Sequence, residues 1–196
     1  MIKIPLILAS ASPRRRKILD SLGIIYTPVI PAVDEVFYLD QPQRTAEENA
    51  MRKNNWCRMT NLSGNTTSSK NPISVLSADT VIDFKGKIVT KPSSLQEAAA
   101  FLKAFSGTTH KVLTAVVLST TGLSTRTQTV ISEVSFRMLT NAQINEYLAN
   151  IDPMDKAGAY DIDQNGSMII ESFAGSKTNI MGLPSELISE WIMKTP

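Results

Sequence analysis

The chain has 196 residues, 42% hydrophobic and 19% charged, with a formal net charge of +2. These values describe one globular domain over 1–196 and exclude a low-complexity chain. The near balance of charge also excludes a global field for nucleic acid, so an anionic ligand must be met by a local cluster. The single cysteine, Cys57, excludes an intramolecular disulfide and reads as packing beside Trp56. The first apolar run precedes the arginines, the reverse of a secretory signal, and no stretch is long enough to cross a membrane. The expectation is a cytoplasmic protein acting on a small anionic molecule, with no stable nucleic-acid or membrane partner.

In chain order, Ile4 to Ala9 reads as a buried strand that enters a tight Ser10-Ala11-Ser12-Pro13 turn. Arg14-Arg15-Arg16-Lys17 then open an amphipathic helix that closes at Gly23. Ser12 before Pro13 marks the N-cap and leaves free backbone N–H groups at the positive end of the helix dipole. Cations in a first turn add to that positive potential, which fits a place where an anion such as a nucleotide's phosphates offsets it. The alternative is a solvated basic turn.

Ile24 to Ile30 reads as a second strand, and Thr45-Ala46-Glu47-Glu48 as a capping box opening a helix to about Met59. A polar linker from Thr60 to Pro72 follows. Ile73 to Leu76 predicts a short buried strand ending at Ser77-Ala78-Asp79-Thr80, and Val81 to Val89 a hairpin turning at Lys85-Gly86. Ser94-Leu95-Gln96-Glu97 is a second capping box, for a helix that runs to Phe105 and stops at Gly107. Val112 to Ser119 and Thr125 to Phe136 predict antiparallel strands around Thr121-Gly122, and Thr140 caps a helix to about Asn150. A loop from Asp152 to Gly158, a strand near Met168 to Phe173 and a closing helix from Ser185 to Met193 complete the chain. This order implies a mixed α/β sheet, not a doubly wound one.

Four charged features fall at predicted element ends, where loops gather ligands: the arginine turn, Glu35, Asp79 and Lys91. Two carboxylates such as Glu35 and Asp79 can hold Mg²⁺ with waters, while Arg and Lys neutralise phosphate and one carboxylate activates water. The common phosphate-binding loop and the G-x-G-x-x-G fingerprint are absent, which sets aside kinase and dehydrogenase classes. With His110 as the only histidine, a histidine-rich zinc site is excluded, and its place at a strand start favours a structural hydrogen bond.

Taken together these segments resemble the Maf family of nucleoside triphosphate pyrophosphatases. The resemblance runs through the opening from Leu6 to Arg15, Val33-Asp34-Glu35, Ala50 with Lys53, Ala78-Asp79-Thr80, Lys91-Pro92, Ser106 to Val112 with Thr114-Ala115-Val116, Asp155 to Tyr160, and Gly182-Leu183-Pro184. It implies an elongated α/β fold of the Maf/Ham1 type, like that of inosine triphosphate pyrophosphatase, with a cleft. It also implies a homodimer, a Mg²⁺ or Mn²⁺ requirement, and hydrolysis of a triphosphate to monophosphate and pyrophosphate. Asp79 would be the base that activates water, with Glu35 and Asp79 at the metal. Ser10, Ser12, Arg14, Arg15, Lys53, Thr80, Lys91 and Asp163 would bind substrate, with Arg14, Thr80 and Asp163 selecting the base. The stretch from Lys156 to Tyr160 is similar to the branch acting on dTTP and UTP. Asp163 departs from the glutamine usual in that branch, an ionised acid that only accepts hydrogen bonds where an amide also donates, and Gln164 lies next to it. Asn54 departs from the usual alanine after Lys53. Alternatives are another nucleotide, CTP or 7-methyl-GTP, or a regulatory role of the septum-inhibition type.

Overall fold

In the computed structural model, which describes residues 4–62 and 72–193, the first apolar run forms β1 (Leu6–Ala9) and leads into α1 (Pro13–Ser21). Ser12 caps that helix by accepting from the Arg15 N–H, as the Ser-Pro start predicts. β2 is shorter than its apolar run, covering Thr27–Val29 only, and pairs with β1 in parallel.

α2 begins earlier than the sequence predicts, spanning Pro42–Leu62, with Pro42 at its first position. Thr45 does not cap it. Its hydroxyl oxygen accepts from the Tyr38 N–H at 2.9 Å, so Thr45 pins the incoming loop while its own N–H already bonds back to the Gln41 carbonyl. Most of the expected polar linker lies outside the described residues.

β3 is the larger departure. Instead of a short strand followed by a separate hairpin, one strand of 11 residues runs from Ser74 to Phe84. It turns at Lys85-Gly86, both with positive φ, into β4 (Lys87–Val89). Two strands of similar length follow, the largely buried β5 (Thr109–Thr120) and the more polar β6 (Arg126–Phe136), joined through the Thr121-Gly122 turn. Between β4 and β5 lies α3 (Leu95–Phe105), capped by Ser94 as expected; α4 (Asn141–Ala149) follows β6 with the Thr140–Gln143 capping box fully formed. β7 (Ile170–Ala174) and two short helices, α5 (Lys177–Ile180) and α6 (Ser185–Ile188), end the fold, with a wider helical turn at Ser189–Met193 completing the predicted closing helix.

The strands form one mixed sheet in the order β2-β1-β3-β5-β6-β7, with β4 also on β3. β5 pairs with β3 from Ser74 to Asp83, so β1 and β4 must share the opposite edge of β3. β1 takes the stretch to Ser77 and β4 starts at Ile82. The residues between, Ala78 to Val81, have a strand on one side only, and the sheet opens there.

Apolar side chains pack around this opening in separate groups. Leu8, Leu19, Leu76 and Ile188 join α1 and α6 to one end of the sheet, and Leu102, Phe105, Val134, Phe136 and Tyr147 join α3 and α4 to the other. Cys57 packs against Ala9 and Val75, as expected for a packing cysteine, and burial pushes its thiol pKa up. Asn54, the departure after Lys53, is buried: it donates to the Val75 carbonyl at 2.9 Å and accepts from Ser119 at 2.7 Å, which ties α2 to two strands.

His110 has the structural role its position suggests. It is buried in an aromatic group, stacked on Phe105 with ring centres 4.4 Å apart, and its Nε2 lies 2.8 Å from the Tyr160 hydroxyl. Burial pulls its pKa from 6.5 down to about 4. A histidine kept neutral in the fold but free to protonate when unfolded supports the fold above pH 6.5 and opposes it as pH falls towards 4, by about 1.4 kcal/mol per pH unit. Urea melts should therefore show stability falling through that window. His110→Phe should start about 1–3 kcal/mol lower at neutral pH, because Tyr160 loses its partner, yet lose less on acidification. Equal acid slopes in the two proteins would mean that another group titrates.

Candidate functional site

The opening in the sheet forms the floor of a cleft of about 910 Å³. Its walls come from the turn after β1, the start of α1, the segment 30–37, α2, the end of β4 and the turns 155–164 and 180–182. Along the extended segment before α2, Val33, Glu35 and Phe37 face the cleft while Asp34 and Val36 do not, an alternation that gives the acidic motif one inward carboxylate.

Asp79 and Thr80 lie in the middle of β3, not at a strand end, in the stretch that has lost β1 and not yet met β4. Asp79 is 6% exposed. From α2, Lys53 places its Nζ 2.6 Å from Asp79 Oδ1 and 2.6 Å from Glu35 Oε1, so that one ammonium is shared by two carboxylates. Asn49, one turn earlier on the same helix face, holds this arrangement together. Its amide accepts from the Val36 N–H at 2.9 Å and donates to the Val36 carbonyl at 3.0 Å, fixing the segment that carries Glu35, and it lies 3.4 Å from Asp79 Oδ2. The i, i+4 spacing of Asn49 and Lys53 is the one sequence signal that could have marked Asn49.

The two carboxylates are driven apart in acidity. Burial pushes the Asp79 pKa up, and its neighbours Lys53 and Arg15 only partly pull it back. Burial also pushes Glu35 up, but there the Lys53 hydrogen bond and charge, with Lys91 and Arg15, win and hold it below the usual carboxylate range. Such divergence is how one site keeps a basic carboxylate beside a persistently charged one.

The arginine turn divides its work. Arg15 is buried, with each of its three nitrogens donating one bond: Nε to the Gly182 carbonyl at 2.8 Å, Nη1 to Ser10 at 3.2 Å and Nη2 to Thr80 at 3.1 Å. Gly182, with φ +107, brings its carbonyl to that guanidinium, and a Cβ there would sit 3.3 Å from the Thr80 hydroxyl. Thr114 gives its proton to the Asn179 carbonyl, so the Thr80 hydroxyl must donate to Thr114 across their 2.9 Å contact. Thr80 thus offers the cleft only an acceptor. Arg14 lines the cleft and pairs with Asp161 at 3.0 Å, whereas Arg16 and Lys17 are absent from the lining.

Ser10, Ser12 and Lys91 also line the cleft, and Ser10 Oγ accepts from the Ser12 N–H. Of the sequence-predicted residues only Asp163 stands apart. It pairs with Lys177 at 2.7 Å and does not line the cleft, while Gln164 does. Gly158, with φ +68, lets the turn before it press onto the core; a Cβ would fall 2.6 Å from Ile82. Asp161 is a cleft residue that no pattern in the sequence marks.

Among the described residues no group of three or more His, Cys, Asp and Glu side chains is placed for a metal. Glu35 and Asp79 both line the cleft and both bond the Lys53 ammonium; their oxygens, with those of substrate phosphates, are the hard donors that suit Mg²⁺.

A family model described as Maf-like protein matches residues 5–195. A dTTP/UTP pyrophosphatase of Aromatoleum aromaticum is 42% identical over 188 residues, covering 90% of this chain and 88% of its own. A nucleoside triphosphate pyrophosphatase of Haemophilus ducreyi is 38% identical, covering 91% and 89%. A solved HAM1 protein from Coxiella burnetii shares the fold, at TM-score 0.50 and 12% identity over 95% of this chain and 99% of that one.

The charge arrangement has a direct spectroscopic consequence. In a ¹³C-carboxyl titration Asp79 should titrate above the ordinary aspartate value and Glu35 below the glutamate value. Lys53→Met should move both upward, since it removes the cation they share. An Asp79 midpoint that stays put or falls in the variant would contradict this geometry.

Proposed function

The chain belongs to the Maf-like protein family, and from that premise we propose that it hydrolyses nucleoside triphosphates, dTTP and UTP foremost, to the monophosphate and pyrophosphate. Residues 1–196 act as one catalytic domain. The observation that carries this reading is the Lys53 ammonium shared by Asp79 and Glu35 at the opening of the sheet. It sets a buried carboxylate of raised pKa beside a carboxylate that stays charged, in a cleft supplied with cations.

Asp79 accepts a proton from the attacking water as its oxygen bonds to the α-phosphorus; the bond from that phosphorus to the bridging oxygen breaks, and pyrophosphate leaves. Lys53 holds Asp79 in place and counters the charge gained by the phosphorus centre. Lys91 and the Arg14 N–H in the first turn of α1 meet the phosphate oxygens, which suits a reaction that depends on positioning and charge neutralisation. Arg15 acts through others, fixing Ser10, Thr80 and the 182 turn. Glu35 and Asp79 would hold a divalent cation, Mg²⁺ or Mn²⁺, which supplies further neutralisation of the phosphates when bound. The family resemblance supports Arg14 and Thr80, both in the cleft lining, as base contacts, and Gln164 lines the wall where Asp163 does not. The same resemblance supports a homodimer working in the cytoplasm.

Incubation with dTTP, UTP, CTP, ATP, GTP and 7-methyl-GTP should give monophosphate and pyrophosphate, fastest from dTTP and UTP. Diphosphate and inorganic phosphate as products would refute attack at the α-phosphorus. Asp79→Asn should lower turnover by at least about 100-fold while the protein melts no earlier than the wild type, because it removes a base but also a buried charge. Chelation should stop turnover and Mg²⁺ or Mn²⁺ restore it, with Glu35→Gln needing more metal for half-maximal rate. Full activity in the presence of chelator would remove the metal from the mechanism.

A further inference from the structure

Asp161 takes no part in the chemistry above, yet it is as buried in the cleft wall as Asp79, at 6% exposure. It is held from every side. The Tyr147 hydroxyl accepts from the Asp161 N–H at 3.0 Å and donates to the Asp161 carbonyl at 3.3 Å, so one side chain clamps the backbone in both directions. Tyr147 is fully buried, and burial pushes its phenol pKa up to about 12, which keeps that proton in place. The Asp161 carboxylate accepts from the Asp163 N–H at 2.9 Å through Oδ1 and from Arg14 Nη1 at 3.0 Å through Oδ2.

This leaves hydrogen-bonding capacity on two side chains that line the cleft. A carboxylate has about four acceptor positions and a guanidinium five N–H groups, and the contacts named use two of the former and one of the latter. Arg14 and Asp161 both line the cleft, whereas Asp163 is paired with Lys177 outside it. The wall therefore presents a fixed acceptor, Asp161, next to a donor, Arg14, that is aimed by it. The edge that meets such a pair in one plane is an N–H beside a C=O, the arrangement of an imide.

Resting on the pyrophosphatase reading, we propose that Asp161 selects the base, accepting a hydrogen bond from the ring N3–H of uracil or thymine while Arg14 donates to the neighbouring carbonyl. Cytosine, whose N3 is an acceptor, meets the same pair only by shifting one atom along its edge. A substrate lacking the N–H brings no donor to the remaining acceptor positions of a buried carboxylate, and a site built to bond a substrate N–H rejects such analogues strongly.

The test compares dTTP with N3-methyl-dTTP, and dTMP with N3-methyl-dTMP. The wild type should favour dTTP by at least about 100-fold in kcat/KM, and calorimetry should show the same preference for dTMP. Asp161→Ala should reduce both ratios to less than about tenfold. Each ratio is taken within one preparation, so inactive protein cancels. Asp161→Asn, which keeps the size of the side chain and an oxygen for the Asp163 N–H, should also collapse the ratio, and it decides the matter where the alanine variant does not fold. A wild type that treats the methylated and unmethylated compounds alike, or variants that keep the full ratio, would overturn the proposal. Absence of pyrophosphate release from every nucleotide would refute the catalytic reading alone, and the monophosphate calorimetry would still decide the role of Asp161.

Discussion

The Lys53 ammonium between Glu35 and Asp79 is the contact on which the site depends. Asp79 is buried and the partly exposed Glu35 lies close to it, so the two carboxylates repel each other, and a cation at hydrogen-bond distance from both offsets that repulsion. The cation is delivered by a long helix, while one carboxylate comes from a strand and the other from a segment with no regular structure of its own. Asn49 makes the last of these dependable, because its amide imitates a strand partner for Val36 and holds Glu35 at the right height. The helix thus supplies the charge and also the template for the loop facing it.

The cleft itself follows from strand lengths. β3 runs on past the end of β1, and β4 returns along the same edge only from Ile82. Had β1 been four residues longer, Asp79 and Thr80 would face a neighbouring strand. The turn at Ser10 ends β1 instead, and its hydroxyl accepts from the Ser12 N–H and from Arg15, so the element that ends the strand also starts the helix. This resembles the opening that parallel sheets offer ligands where strand order changes, although here the neighbour on the far side is antiparallel.

Most of this was legible in the sequence, and the failures have physical causes. The caps at Ser12, Ser94 and Thr140 are local, since a hydroxyl and an N–H three residues on decide them, and all three form. Thr45 has the same local pattern but a tertiary partner, Tyr38, claims its hydroxyl, and the helix starts instead at Pro42. The sequence divides β3 in two because Ser77, Asp79 and Thr80 look like turn residues. Inside the sheet they are paired by β5 throughout, and their polar side chains find partners on α2 and α1. Of the site, Glu35, Lys53, Asp79 and Lys91 could be named from the sequence. Asp161 could not, because its role rests on contacts with Arg14 and Tyr147 that no spacing encodes, and Asn49 is marked only by its i, i+4 spacing from Lys53, which does not foretell its bonds to Val36.

The arginine turn shows why a cluster of like charges is tolerated at a helix start. Arg15 faces the cost of burial, and its pKa is pulled down by desolvation, with Asp79 opposing. Its planar fork meets a carbonyl and two hydroxyls at once, none of them charged, so the guanidinium keeps its charge available to the cleft while its geometry is fixed by neutral groups. A lysine could supply the charge but not the three-way span from β1 to β3 to the 182 turn. Arg14, one residue earlier, is exposed enough to meet a ligand and is aimed by a carboxylate. Adjacent residues on a helix point about 100° apart, so the two guanidinium groups diverge, one into the protein and one across the cleft. The positive potential at the start of α1 is therefore built from a rigid part and an adjustable part. An anion bound there meets a charge that has already paid for its desolvation and another that can follow it.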